Sequence, residues 1–403
     1  MTFSLHNPAL LGLLLVVALV VAIVLLVAVA VFLWKARRKE EEEAEGTEQE
    51  KLERELLAGT PGMAESFREA LRRIKERTPG WGYPYKAPWF VLVGEAGSGK
   101  SRIADQISGL SADLIPSGDA EFAPRWLLLD QAVLIDLPGM SFHPASAPET
   151  EKQALSTREL AAARCAWQSF LHQTVRCRPR EPLNGIVLTL PATELLVAVT
   201  DPDHQRRIAR IAGIAQRMDE VQQLTGLSLP VYILVTKCDV LPSFNAFAHS
   251  LFARVAQGGA EAWSAESGEV QDDLFGWSNP YALEQEYSPA WVEEAFAATR
   301  TVLLRHQLEM LSQSQTAADA DHIFLFPFEL QQLQEPLQVL LNLVFRRTAF
   351  RASHRLRGVY FCGETREDDD KPGQLLQLQS STALLRLPER PANRICFARN
   401  LFE

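Results

Sequence analysis

Cysteine is scarce and unpatterned in this chain, which removes two structural classes at once. The five cysteines, Cys165, Cys177, Cys238, Cys362 and Cys396, form no CxxC pair and leave one over. Neither a disulfide framework nor a cysteine-rich zinc fold is expected. The eight histidines show no HExxH spacing, so no catalytic zinc site is assigned. Basic charge is in deficit: 40 Lys and Arg against 50 Asp and Glu leave a formal net charge of −10. Nucleic acid is therefore not an expected partner. No internal repeat is visible. What is present, 47% hydrophobic and 22% charged residues over 403 positions, suits a globular protein of two or three domains.

Charge is absent altogether from Pro8 to Trp34, a stretch dominated by Leu, Val, Ile and Ala. About 20 apolar residues cross a bilayer, so 8–34 is expected to be one transmembrane helix. Lys35, Arg37, Arg38 and Lys39 follow directly. The positive-inside rule then puts residues 1–7 outside and the main domain in the cytoplasm. The expected place is a membrane, crossed once and in contact with its lipid. A cleaved signal peptide fits less well, because the basic n-region is missing and the apolar core is too long.

Past the acidic run 40–50, residues 63–77 carry Phe67, Leu71 and Ile74 at helical spacing. Apolar runs at 89–93, 131–136, 185–190 and 230–235 read as buried strands. Helical patterns lie between them at 157–175, 193–199 and 203–224. This alternation predicts an α/β fold, a parallel sheet flanked by helices, and the motifs at 94–101, 136–139 and 236–239 make it P-loop GTPase-like. Further helices are expected at 290–314 and 331–350, with an apolar run at 323–328 and an edge or late strand at 358–362. The expected division is 1–7 N-terminus, 8–34 membrane helix, 35–84 linker and amphipathic helix, 85–255 P-loop domain, and 256–403 mostly helical extension.

The strand at 89–93 runs into Gly94-Glu95-Ala96-Gly97-Ser98-Gly99-Lys100-Ser101, the G-x-x-x-x-G-K-[ST] pattern. Glycines let the backbone wrap a phosphate and aim N–H groups at it, at the positive end of the following helix. Lys100 is expected on the outer phosphates and Ser101 on Mg²⁺. Asp136-Leu137-Pro138-Gly139 ends the second strand like the D-x-x-G of GTP-binding domains. There Asp136 would hold Mg²⁺ through water and the Gly139 N–H would sense the last phosphate. Thr236-Lys237-Cys238-Asp239 ends the fourth strand like [NT]-K-x-D. The Asp239 carboxylate would accept two guanine N–H groups while Lys237 packs on the base. GTP is thus favoured mildly over ATP, and the choice stays open.

No Thr occurs between Ser101 and Asp136, and Met140 follows Gly139 where many GTPases place a water-orienting Gln. Nucleotide binding is therefore expected ahead of efficient turnover, and no catalytic residue is assigned. Arg102 and Arg125 read as surface residues or, less simply, as charge stabilisers. Arg176 and Arg178 flank Cys177 with cations that favour its thiolate, although an ordinary surface thiol is the plainer reading.

Together with these motifs, RPREPLNGIVLTLPATELL at 178, LPVYILVTKCDVLPSF at 229, LFGWSNP at 274, FPFELQQLQEPLQVLLNLVF at 326 and RGVYFCGETRE at 357 resemble the type VI secretion TssM/IcmF family. The resemblance implies an inner-membrane scaffold subunit with an NTPase-like domain in the cytosol. It also implies a TssL-type inner-membrane subunit and baseplate components as partners; homo-oligomerisation stays open. An autonomous membrane-anchored P-loop GTPase with a regulatory role is the alternative. The family usually carries DTAG where this chain has DLPG, and a two-helix membrane hairpin where this chain has one helix. The expectation is a truncated, split or divergent member.

Overall fold

The structure, a computed structural model, describes residues 61–111, 113–116, 122–142, 157–200, 204–257, 275–313, 317–345, 347, 352–365 and 394–396. The expected membrane helix 8–34, its basic flank and residues 258–274 lie outside the described residues. Among the described residues no helix is long and apolar enough to cross a membrane.

In chain order the elements are α1 (Pro61–Arg77), β1 (Trp89–Val93), α2 (Lys100–Ser111), β2 (Asp113–Ile115), β3 (Arg125–Leu128) and β4 (Val133–Asp136). Then come α3 (Thr157–Cys177), β5 (Gly185–Pro191), α4 (Ala192–Thr200), α5 (His204–Thr225), β6 (Pro230–Thr236) and α6 (Phe244–Gln257). The last are β7 (Gly276–Ser278), α7 (Ala290–Gln313), α8 (Ala317–Gln331), α9 (Gln334–Val344), β8 (Arg355–Phe361), β9 (Gly363–Thr365) and β10 (Arg394–Cys396). Eight strands make one sheet in the order β2-β3-β4-β1-β5-β6-β8-β7, and β9 pairs with β10 apart from it.

The ladders β4–β1, β1–β5, β5–β6 and β6–β8 are parallel. Those between β2 and β3, β3 and β4, and β7 and β8 are antiparallel. The sheet is therefore mixed, with a parallel centre, and not parallel throughout. The cause at one side is a hairpin: Leu129 N–H donates to the Ala132 carbonyl at 2.9 Å, and β3 folds back on β4. The strand expected at 358–362 is β8, an inner strand that β7 covers at the edge. The apolar run 323–328 lies within α8, with Pro327 inside the helix.

Central strands of a sheet covered on both faces read as unbroken apolar runs. Trp89, Val91 and Val93 turn to the larger core, shared with Phe67 of α1 and Phe170 of α3. Leu92 turns to a smaller core against Ile103, Ala104 and Ile107 of α2. Helix α1 buries Phe67 and Ile74 of its expected stripe, leaves Leu71 half-buried, and adds Met63 and Ala70 to the core face. Its Ser66 receives the Trp126 indole N–H at 2.8 Å and donates to the Pro124 carbonyl at 3.3 Å. This layering leaves the loops after β1, β4, β6 and β8 together at the carboxyl ends of the parallel strands. Ligands of open α/β sheets bind in that crevice.

Candidate nucleotide-binding site

A cavity of about 660 Å³ opens at those strand ends. Gly97, Ser98, Gly99, Lys100 and Ser101 form one wall, Gly139 another, and Thr236, Lys237 and Asp239 a third. Three segments spread over 142 positions of the sequence, from Gly97 to Asp239, are thus brought to one space. Gly94, Glu95 and Ala96 build the entry of the loop without lining the cavity, and Asp136 lies behind its wall.

The P-loop shape follows from local bonds. Gly97 takes φ 74°, a left-handed turn that side chains disfavour. Ser98 N–H donates to the Glu95 carbonyl at 3.2 Å. The Thr189 hydroxyl donates to the Val93 carbonyl at 3.0 Å and accepts from Ser98 Oγ at 2.9 Å. The Thr236 hydroxyl donates to the Ser98 carbonyl at 2.6 Å, so this residue of the TKCD motif fastens the P-loop from the end of β6. Arg210 of α5 grips both Glu95 oxygens, at 2.7 and 2.9 Å. A Cβ on Gly139 would stand 2.5 Å from Ala96 Cα, so only glycine lets the loop after β4 lie against the P-loop.

Lys100 is buried and donates to the carbonyls of Gly94 at 2.7 Å and Glu95 at 2.8 Å. Burial pulls its pKa down to about 8, against the opposing pull of Asp136 and Glu95. Lys237 is the one described non-glycine residue in the left-handed region, at φ 57°. This turn lets Cys238 N–H donate to the Cys362 carbonyl at 3.0 Å and leaves Lys237 exposed at the cavity. Asp239 Oδ1 accepts the Glu364 N–H at 3.1 Å, which draws the segment after β8 over the Thr236–Asp239 wall. Cys362, Gly363 and Glu364 line the cavity there. Their sequence offers no signal beyond following an apolar run, and the sequence reading missed them.

The magnesium expectation meets a different arrangement. Ser101 lines the cavity, but Asp136 is only 3% exposed. Arg125 donates to Asp136 Oδ2 through Nη2 at 2.6 Å and Nε at 3.0 Å. Asp136 Oδ1 is sealed from solvent and has no partner. Burial accordingly lifts the Asp136 pKa, and Arg125 holds it down in opposition. A carboxylate that is walled off and already paired with a guanidinium does not fit the Mg²⁺ role assigned to it from sequence. Arg102, also weighed as a charge stabiliser, pairs with Glu364 instead.

Cys177 is no activated thiol: burial raises its pKa more than Arg176 lowers it. Arg178 has turned into the core, its guanidinium 4.7 Å above the Trp89 ring and 3.0 Å from Asn184 Oδ1. Among the described residues no group of three or more His, Cys, Asp or Glu side chains is placed to hold a metal ion.

The sequence profile of the IcmF-related N-terminal domain matches residues 161–403, more than half of the chain. The chain belongs to the IcmF-related family. The matched span includes Thr236–Asp239 and begins after the P-loop. The chain is 28% identical over 295 residues to the type VI secretion system component TssM1 of Pseudomonas aeruginosa. That match covers 70% of this chain and 24% of the relative, so this IcmF-related chain aligns with about a quarter of the relative's length. Among solved structures it overlaps the small COPII coat GTPase SAR1 of Encephalitozoon cuniculi in complex with GDP, at TM-score 0.25 and 13% identity. That overlap takes in 57% of this chain and 74% of the other. The signal recognition particle receptor SRb–GDP of Chaetomium thermophilum gives TM-score 0.23 and 15% identity over 45% of this chain and 81% of that one. These overlaps are slight, and the fold stands on the strand order and loop geometry above.

Proposed function

We propose that this chain is an inner-membrane-anchored scaffold subunit of a type VI secretion membrane complex, with a P-loop domain of the GTP-binding type on the cytoplasmic side. Membership of the IcmF-related family and the likeness to TssM1 support the secretion context. The observation that carries nucleotide binding is the single cavity bounded by the P-loop, Gly139 and Thr236-Lys237-Asp239. In this reading Gly97 to Ser101 surround the phosphates and Lys100 exchanges its carbonyl partners for phosphate oxygens. Asp239 and Lys237 take the base. A TssL-type inner-membrane subunit and baseplate components are the partners in this reading.

Calorimetric titration of the full chain in detergent with GTP, GDP and ATP tests the site. Guanine nucleotides are expected to bind tighter, and equal or tighter ATP binding would overturn the base assignment. Lys100→Ala removes a charge-assisted contact of roughly 1.5–3 kcal/mol, which is a loss of about tenfold or more in triphosphate affinity. Unchanged affinity in that variant would remove the P-loop as a phosphate site.

A further inference from the structure

Behind the phosphate wall a cation is already in place. The Arg125 guanidinium lies between Asp136 of β4 and Asp105 of α2, whose Oδ1 it reaches through Nη1 at 2.7 Å. Nη2 also donates to the Ser101 carbonyl at 3.2 Å, so the same group touches the backbone of the residue expected to ligate Mg²⁺. The β3–β4 register sets Arg125 directly opposite Asp136. Arg125 is therefore delivered by the hairpin itself, and two acidic side chains and one carbonyl hold it there. A guanidinium keeps its charge at any working pH and grips a carboxylate with two N–H groups.

We propose that Arg125 serves as a built-in counter-cation in place of Mg²⁺, so that this chain binds a nucleoside diphosphate without a divalent metal. The inference rests on the nucleotide-binding reading above. In a metal-dependent site, a carboxylate behind the P-loop repels the phosphates unless a divalent ion bridges the two. Here the Asp136 charge is neutralised before any phosphate arrives, and its free oxygen is sealed from the cavity. A metal at Ser101 has lost its acidic anchor. The phosphates meet Lys100 and the loop N–H groups, with the Glu95 charge matched by Arg210 at 2.7 Å. Arg125 acts here as a positioning residue through Asp136, with no phosphate contact of its own.

The test is the affinity of the full chain in detergent for GDP and for ADP, each measured with excess Mg²⁺ and with excess EDTA. For the tighter nucleotide, affinity in EDTA is expected within about threefold of that in Mg²⁺, and Arg125→Ala is expected to lose about tenfold or more in EDTA and to recover with Mg²⁺. That recovery is a signature a purely structural arginine would not show. Arg125→Lys, which keeps the charge, should fold where the alanine variant does not, and should stay insensitive to metal. A wild-type chain that loses about tenfold in EDTA overturns the proposal while leaving nucleotide binding intact. An uncharged variant, Arg125→Ala or Arg125→Gln, that folds and binds equally in Mg²⁺ and in EDTA also overturns it. No binding of either nucleotide under any condition overturns both this proposal and the reading beneath it.

Discussion

At the residue scale, Lys100 couples ligand binding to pH. Burial brings its pKa to about 8 from an ordinary 10.5, and an anion binds only the charged form. Between about pH 7 and 9 the charged fraction of a group titrating near 8 falls about tenfold, and nucleotide affinity should fall with it. Stability moves the other way. The unfolded chain holds this proton up to about 10.5, so from about 8 to 10.5 it binds more protons than the folded chain. In that window Lys100 adds stability as pH rises. Titrations across the range check the first claim; flat affinity would mean that the ammonium does not meet the phosphate. Lys100 itself was legible, because its neighbours in the sequence form the motif. The pairing of Arg125, read from sequence only as a surface residue or charge stabiliser, was not, because Asp136 becomes its neighbour only when the hairpin closes. The one available signal was Arg125-Trp126-Leu127-Leu128 and Val133 to Asp136 read as paired strands, with Arg at one end facing Asp at the other.

At the element scale, Asn184 shows what an Asn-Gly pair before a buried strand does. Its Oδ1 accepts the Trp89 N–H at 2.8 Å and an Arg178 N–H at 3.0 Å, joining the starts of β1 and β5. Gly185 follows because a Cβ there would stand 2.6 Å from the Phe90 ring. Asn184→Ala would strand a backbone donor and a buried guanidinium, a cost of about 2–4 kcal/mol. Denaturant unfolding of the variant should show a lower midpoint with the slope unchanged; an unmoved midpoint would show that these bonds contribute nothing net. Ser243, just ahead of α6, is held in a comparable way. Its hydroxyl and N–H both donate to Glu329, at 2.8 and 2.9 Å, and the hydroxyl also meets His322 at 3.2 Å. Ser243 is fully buried, so this Ser–His–Glu grouping fastens α6 to α8 and is no exposed nucleophile. Such partners lie 79 or more positions apart, beyond the reach of local periodicity.

At the scale of the whole molecule, the prediction concerns topology and partners. Lys35, Arg37, Arg38 and Lys39 are costly to move across a bilayer. Protease added outside spheroplasts should therefore leave residues beyond Lys35 intact, whereas inverted vesicles should expose them. Digestion from outside would reverse the orientation and remove the domain from the cytosolic nucleotide pool. With the domain protected, co-purification of a second inner-membrane subunit or a baseplate component is expected, independent of hydrolysis. A chain that purifies alone and turns over GTP rapidly would favour an autonomous GTPase.

The apolar runs, the glycine spacing of the P-loop and the order of the three motifs determined the α/β class and pointed to one end of the sheet. These are local signals: strand burial, left-handed turns and helix starts depend on residues a few positions apart. Tertiary structure alone decided the rest. It put β8 inside the sheet and folded β3 back on β4. It gave Thr236 to the P-loop and carried Glu364 over Asp239. It also set a guanidinium where a metal was expected. Each depends on which strands become neighbours and in what register, and register is set by packing across the whole sheet.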